Sequence, residues 1–141
     1  MRPEEAELVR YRLARAEESL EAARILIEKG LLVPAVNRVY YACFYAVSAL
    51  LYAAGLASSK HSGVMALFER HFVRSNEVSV EQGRFYRSLF KRRQRGDYDD
   101  FAAFDRAEVE EWLSEAAEFV KTVSAKADQI VSESQEDETP C

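Results

Sequence analysis

The stretch NRVYYACFYAVSALLYAAGL, residues 37–56, constrains the fold more than any other part of the chain. At about 20 residues it is long enough for a bilayer. Its content argues against one: Asn37 and Arg38 stand at one end, and four tyrosines (Tyr40, Tyr41, Tyr45, Tyr52) are spread through it. Met1 leads into an acidic, helical pattern rather than a signal peptide. The stretch is apolar nearly all round, and such a helix belongs at the centre of a bundle, covered on several sides. It is expected to begin near Pro34, whose missing N–H suits a first turn, and to stop at Gly55.

The rest of the chain supplies the covering helices. Val9, Leu13, Ala16, Leu20, Ala23 and Ile27 recur at spacings of four and three, one apolar stripe on a helix over residues 3–29 that Gly30 ends. After the turn GLASSKHSG, a shorter helix carries Val64, Leu67, Phe68 and Phe72, with Ser59 or a neighbour as its N-cap. Ser79 and Gln82 have capping-box spacing, so a fourth helix starts there and is expected to run to Arg95, with Gly96 as terminator. Asp105 and Glu108 repeat the signal before a long last helix marked by Val109, Leu113, Ala116, Phe119, Val120 and Val123. Trp112 falls among these apolar positions and reads as core. No segment alternates polar and apolar residues over strand lengths. The expected fold is therefore an all-α, up-and-down antiparallel helical bundle of four long helices plus one short helix.

With 141 residues, 48% hydrophobic and 30% charged, the chain is one soluble domain able to bury a core without staples. Cys43, mid-helix, and Cys141 make no disulfide framework, and His61 and His71 without a CxxC or HExxH pattern make no metal site. A cytoplasmic protein without cofactor, metal or membrane span is expected. The net charge of −5 is local: five acids and no base follow Ala127, leaving 19 acids against 19 bases before it. Residues 1–127 thus read as the folded domain and residues 128–141 as an acidic, disordered tail. Arg84, Arg87, Lys91 and Arg95 recur at three and four, a basic stripe that reads equally as a solvated face, a dock for the chain's own acids or a contact for phosphate.

The order of the residues says more than their period. AVNRVYYACFYAVSALLYAAGL, then KHSGVMALFERHFV, then RSLFKRRQRGDYDDF on successive helices resembles the HEPN family, small helical bundles often encoded beside a minimal nucleotidyltransferase. The resemblance covers residues 14–123 and rests most on Arg38 before the Tyr40-Tyr41 pair, on His61-Ser62-Gly63, and on Arg93 followed by Asp97-Tyr98. It implies a cytoplasmic prokaryotic homodimer working with a nucleotidyltransferase as a toxin–antitoxin pair. The family's ribonucleases carry an arginine, four to six residues, then a histidine. Here no histidine follows Arg92, Arg93 or Arg95, and Asp97-Tyr98 stands in its place. A metal-independent endoribonuclease is therefore the alternative rather than the first reading.

Arg38, Tyr41 and Tyr45 share one face of the second helix. If Arg93, Asp97 and Tyr98 meet that face, the cluster suits a nucleotide or RNA phosphate: guanidinium forks onto phosphate, tyrosine stacks on a base, and Asp97 orients an arginine. The competing reading is a buried polar network that specifies packing and binds nothing. His61 is either a helix-capping residue or a member of the site. Tyr98, between acids, is also a candidate acceptor for nucleotide transfer from the partner.

Overall fold

In the computed structural model, residues 1–138 are described, and they form five helices with no strand among them. They are α1 (Pro3–Glu28), α2 (Leu32–Ala53), α3 (His61–Phe68), α4 (Val80–Tyr98) and α5 (Arg106–Glu138). α3 runs directly into one π-helical turn, Glu69–Val73, that swings the chain toward α4. The all-α bundle inferred from periodicity is the observed fold, and no helix among the described residues is long and apolar enough to cross a membrane.

α2 is the central element, packed against α1, α3, α4 and α5. Val39, Tyr40, Cys43, Val47 and Leu50 are completely buried, on more than one side of the helix, as an all-round apolar pattern requires. Gly30 (φ +74°) and Gly55 (φ +80°) end α1 and α2 in the left-handed conformation that glycine adopts without steric cost. In both, the next residue's N–H reaches back to close the last turn: Leu31 to the Leu26 carbonyl, Leu56 to the Leu51 carbonyl. Ser79 accepts from the Gln82 N–H, and Asp105 from the Glu108 N–H, so these two caps are formed, although the Gln82 side chain reaches Thr122 instead of closing a box. The Ser59 cap expected for α3 is not formed, since that helix starts after Lys60 with no side-chain cap.

Two boundaries differ from the sequence-based expectation. Gly96 does not end α4; the helix continues through it to Tyr98, and a Cβ there would sit 3.3 Å from the Phe104 ring. The glycine serves close packing of the α4–α5 connection rather than termination. The last helix runs on through Glu138, with Ala127 and Val131 buried and Ile130 packed beside them, so residues 128–138 are helix rather than a tail. Two apolar side chains at helical spacing after Ala127 outweigh the acidic composition. The remaining residues of the expected tail, 139–141, lie outside the described residues.

Candidate functional site

The polar cluster assembles where the first half of α2, the start of α3 and the end of α4 meet. Phe90, Arg93 and Asp97 lie three and four apart, so all face α2 from one side of α4. The Arg93 guanidinium lies 4.9 Å over the Tyr40 ring and 5.7 Å from those of Tyr41 and Phe90. Its Nη1 donates to Asp97 Oδ2 at 3.3 Å, while its side chain is only 11% exposed. The Arg93 Nε is buried and makes no hydrogen bond among the described residues. A buried donor left open on a charged group is costly unless something completes it.

Asn37 extends the network. Its Nδ2 donates to both oxygens of Asp97, at 3.3 and 3.4 Å, and its Oδ1 accepts from Arg38 Nε and Nη2 at 3.1 and 2.7 Å. Arg38 in turn lies 4.9 Å over Tyr41. Two arginines are thus tied, one from each helix, through a single asparagine and a single aspartate.

His61 arrives from α3, where it is the first helical residue. The Tyr40 hydroxyl lies 2.8 Å from His61 Nδ1, and the Phe44 ring stacks on the imidazole with centroids 4.3 Å apart. Tyr41 meets it edge-on at 5.6 Å. Burial, and then the Arg93 charge, hold His61 below its ordinary value of 6.5, so it is neutral at pH 7. Burial pushes Tyr40 up to about 12 against the opposing pull of Arg93, so its hydroxyl stays protonated and can donate to Nδ1. That network assigns the imidazole proton to Nε2, leaving an N–H donor on the far edge of the ring. Below Tyr40, burial also raises the Tyr86 phenol well above its ordinary value, and its ring stacks nearly parallel to that of Tyr40 at 6.1 Å.

Of the residues singled out from sequence, Arg38, Tyr41, His61, Arg93 and Asp97 are brought into this one cluster. Tyr45 touches it at its edge, through Tyr41 and Phe44 at 5.9 and 6.0 Å between centroids, and turns its hydroxyl to Arg15 of α1. Tyr98 ends α4 80% exposed, away from the cluster, and occupies a helix end rather than a loop. Tyr40, Asn37 and Phe44 were not singled out as site residues. In sequence, Tyr40 and Phe44 are indistinguishable from core aromatics of the apolar stretch, and only the arrival of His61 distinguishes them. Asn37 carried a usable signal, since an amide beside Arg38 near the start of an apolar helix needs polar partners. The basic stripe of α4 is partly spent within the chain: Arg87 makes a two-point ion pair with Glu69 at 2.6 and 2.8 Å, and Arg95 lies 5.6 Å from the Phe104 ring.

Residues 9–127 match the family described as HEPN domain. A UPF0332 protein of Thermotoga maritima is 43% identical over 120 residues, 85% of this chain and 91% of its own. Two Methanocaldococcus jannaschii proteins carry the name "Putative toxin": one is 37% identical, over 70% of this chain and 67% of its own, and the other 34%, over 82% and 86%.

Proposed function

The chain belongs to the HEPN domain family, and from that premise we propose that it is the toxin-like half of a two-component module whose Arg93–His61 cluster binds a phosphate of a nucleotide or RNA. The observation that carries the reading is the Arg93 side chain, held on three aromatic rings with its Nε open, beside a neutral His61 that presents a second N–H. Arg38 adds a third donor group two residues from Tyr40. Rings that hold a guanidinium in place reduce the freedom it must lose on capturing an anion, and Asp97 fixes its orientation without enclosing it. The same reading gives the protein a minimal nucleotidyltransferase as partner and a homodimeric, cytoplasmic state.

Tyr98 is the side chain suited to that partner's chemistry. Its hydroxyl oxygen would attack the α-phosphorus of a nucleoside triphosphate, form a phosphodiester, expel pyrophosphate and give its proton to a base of the partner. Its 80% exposure at a helix end supports this role. With the partner present, Tyr98→Phe is expected to abolish transfer of radiolabel from the triphosphate; full labelling of the variant removes Tyr98 from the reading.

Thermal unfolding of the full chain with ATP, and with a short oligoribonucleotide, tests the site. A ligand that binds only the folded state must raise the melting temperature. The wild type is expected to gain several degrees with at least one of them, and Arg93→Lys, which keeps the charge and loses the fork, to gain almost nothing. No gain by the wild type with either ligand overturns the phosphate-binding reading.

One observation favours cleavage as a second reading: the fold returns a histidine to the neighbourhood of Arg93 that the sequence spacing lacks. With its proton moved to Nδ1, His61 would take the 2′-hydroxyl proton at Nε2 while Arg93 holds the phosphate; the 2′-oxygen would bond to phosphorus as a 2′,3′-cyclic phosphate, and the 5′-oxygen would leave and take a proton from water. Incubation with labelled RNA and a chelator separates the two: cleavage lost in His61→Ala supports an endoribonuclease, and absence of cleavage leaves binding alone.

A further inference from the structure

The groove between α1 and α2 holds two arginines that the cluster does not use, Arg12 and Arg15, in a row that ends at Arg38 of the cluster. Tyr41, Tyr45 and Tyr52 fall on one side of α2 by their spacing, and each ring carries a guanidinium. Arg38 lies 4.9 Å over Tyr41, Arg15 5.2 Å over Tyr45 and Arg12 5.1 Å over Tyr52. Further contacts fix two of them: Arg15 Nη2 donates to the Tyr45 hydroxyl at 3.3 Å, and Arg12 Nη1 to the Ser48 carbonyl at 3.4 Å. An arginine laid on a ring keeps its outer face for stacking and its remaining N–H edge for phosphate oxygens.

These arginines border open space. Arg12, Arg15, Tyr45, Ser48 and Ser58 line a cavity of about 450 Å³, and Arg15 and Arg38 line an adjoining one of about 260 Å³. Phe44, on the wall of the first, is the ring that stacks on His61, so the arginine row leads up to the cluster. The acid lining these cavities is Glu18, 3.7 Å from Arg15, which offsets one of three positive charges.

We propose that this groove is a track for single-stranded nucleic acid, whose phosphates pair with Arg12, Arg15 and Arg38 and whose bases stack on the guanidinium planes. The proposal rests on the phosphate-binding reading of the Arg93 cluster and extends its ligand from one phosphate to a strand. The tyrosines span roughly 16 Å of α2 at 1.5 Å per residue, a length that several nucleotides cover and one does not. A duplex keeps its bases stacked on each other and cannot offer them to the groove.

Fluorescence anisotropy of the full chain with labelled rU12, dT12 and a 12-base-pair duplex tests it. The wild type is expected to bind the single strands at least tenfold more tightly than the duplex, with affinity that falls steeply with salt. Arg12→Gln/Arg15→Gln is expected to weaken single-strand binding about tenfold and, with two phosphate contacts gone, to flatten the logarithmic salt slope by about 1.4. Preference for rU12 over dT12 identifies the strand as RNA, and equal affinity identifies a track blind to the sugar. Unchanged affinity and slope in the double variant, or equal binding of duplex, overturns the track. ATP-induced stabilisation of the wild type, lost in Arg93→Lys, reads the cluster separately: if it stands while the wild type binds no rU12 or dT12, the track fails alone, and if neither is seen both readings fail. Circular dichroism of each variant confirms that it is folded.

Discussion

Tyr40 combines packing and hydrogen bonding in one side chain. Its ring is fully buried between Tyr86, Phe90 and the Arg93 guanidinium, while its hydroxyl meets His61. Tyr40→Phe keeps the ring and removes one hydrogen bond, so it is expected to cost about 0.5–1.5 kcal/mol, read by urea denaturation. His61 adds a pH dependence whose sign follows from its environment. Its folded value is held below 6.5, so near and below that pH the unfolded chain binds the proton more readily. The stability it contributes is full above pH 6.5 and is lost as pH falls through the lower folded value. Melting temperatures measured from pH 7.5 to 5 are expected to fall more steeply for the wild type than for His61→Gln; parallel curves would show that another group sets the dependence.

At the scale of elements, the helix ends and the length of α5 make separate predictions. The Ser79 hydroxyl satisfies one open N–H of α4, and Ser79→Ala is expected to destabilise by about 1 kcal/mol, seen as a lower urea midpoint at unchanged slope. Beyond Ala127, α5 buries Val131 and part of Ile130. Ending the chain at Ala127 therefore exposes apolar core and is expected to cost roughly 2–4 kcal/mol by its lost burial. A disordered tail could be removed at no cost, so an unchanged melting temperature would contradict the helix over residues 128–138.

The whole molecule is organised around α2. α1 and α5 pack on it and on each other, and α4 packs on it from another side, reaching α5 mainly through long side chains: Gln82 to Thr122 at 3.3 Å, Phe85 to Phe119, and Arg92 laid 4.1 Å over Trp112. With one helix shared by every layer, loss of its packing removes the core at once. Unfolding is expected to be a single transition, with Trp112 fluorescence and helical dichroism coincident. Leu50→Ala, at a fully buried position of α2, is expected to cost about 2–5 kcal/mol. An early fluorescence change would show α4 leaving before the rest.

Hydrophobic period, capping residues and the apolar α2 stretch were enough to determine the helices and the all-α class, because those signals are local: they depend on neighbours three and four residues away. The likeness of the three successive segments carried the family. The start of α4 at Ser79 was legible for the same local reason, and its end was not, because Gly96 answers to Phe104 rather than to its own turn. Which polar side chains meet was decided only by the fold. His61 lies 21 residues from Tyr40 and Asn37 lies 60 from Asp97, so no spacing within one helix announces either pair. The Arg12, Arg15 and Arg38 row is likewise assembled from two antiparallel helices. Arg12 and Arg15 read as ordinary surface charge until α2 brings a tyrosine beneath each one.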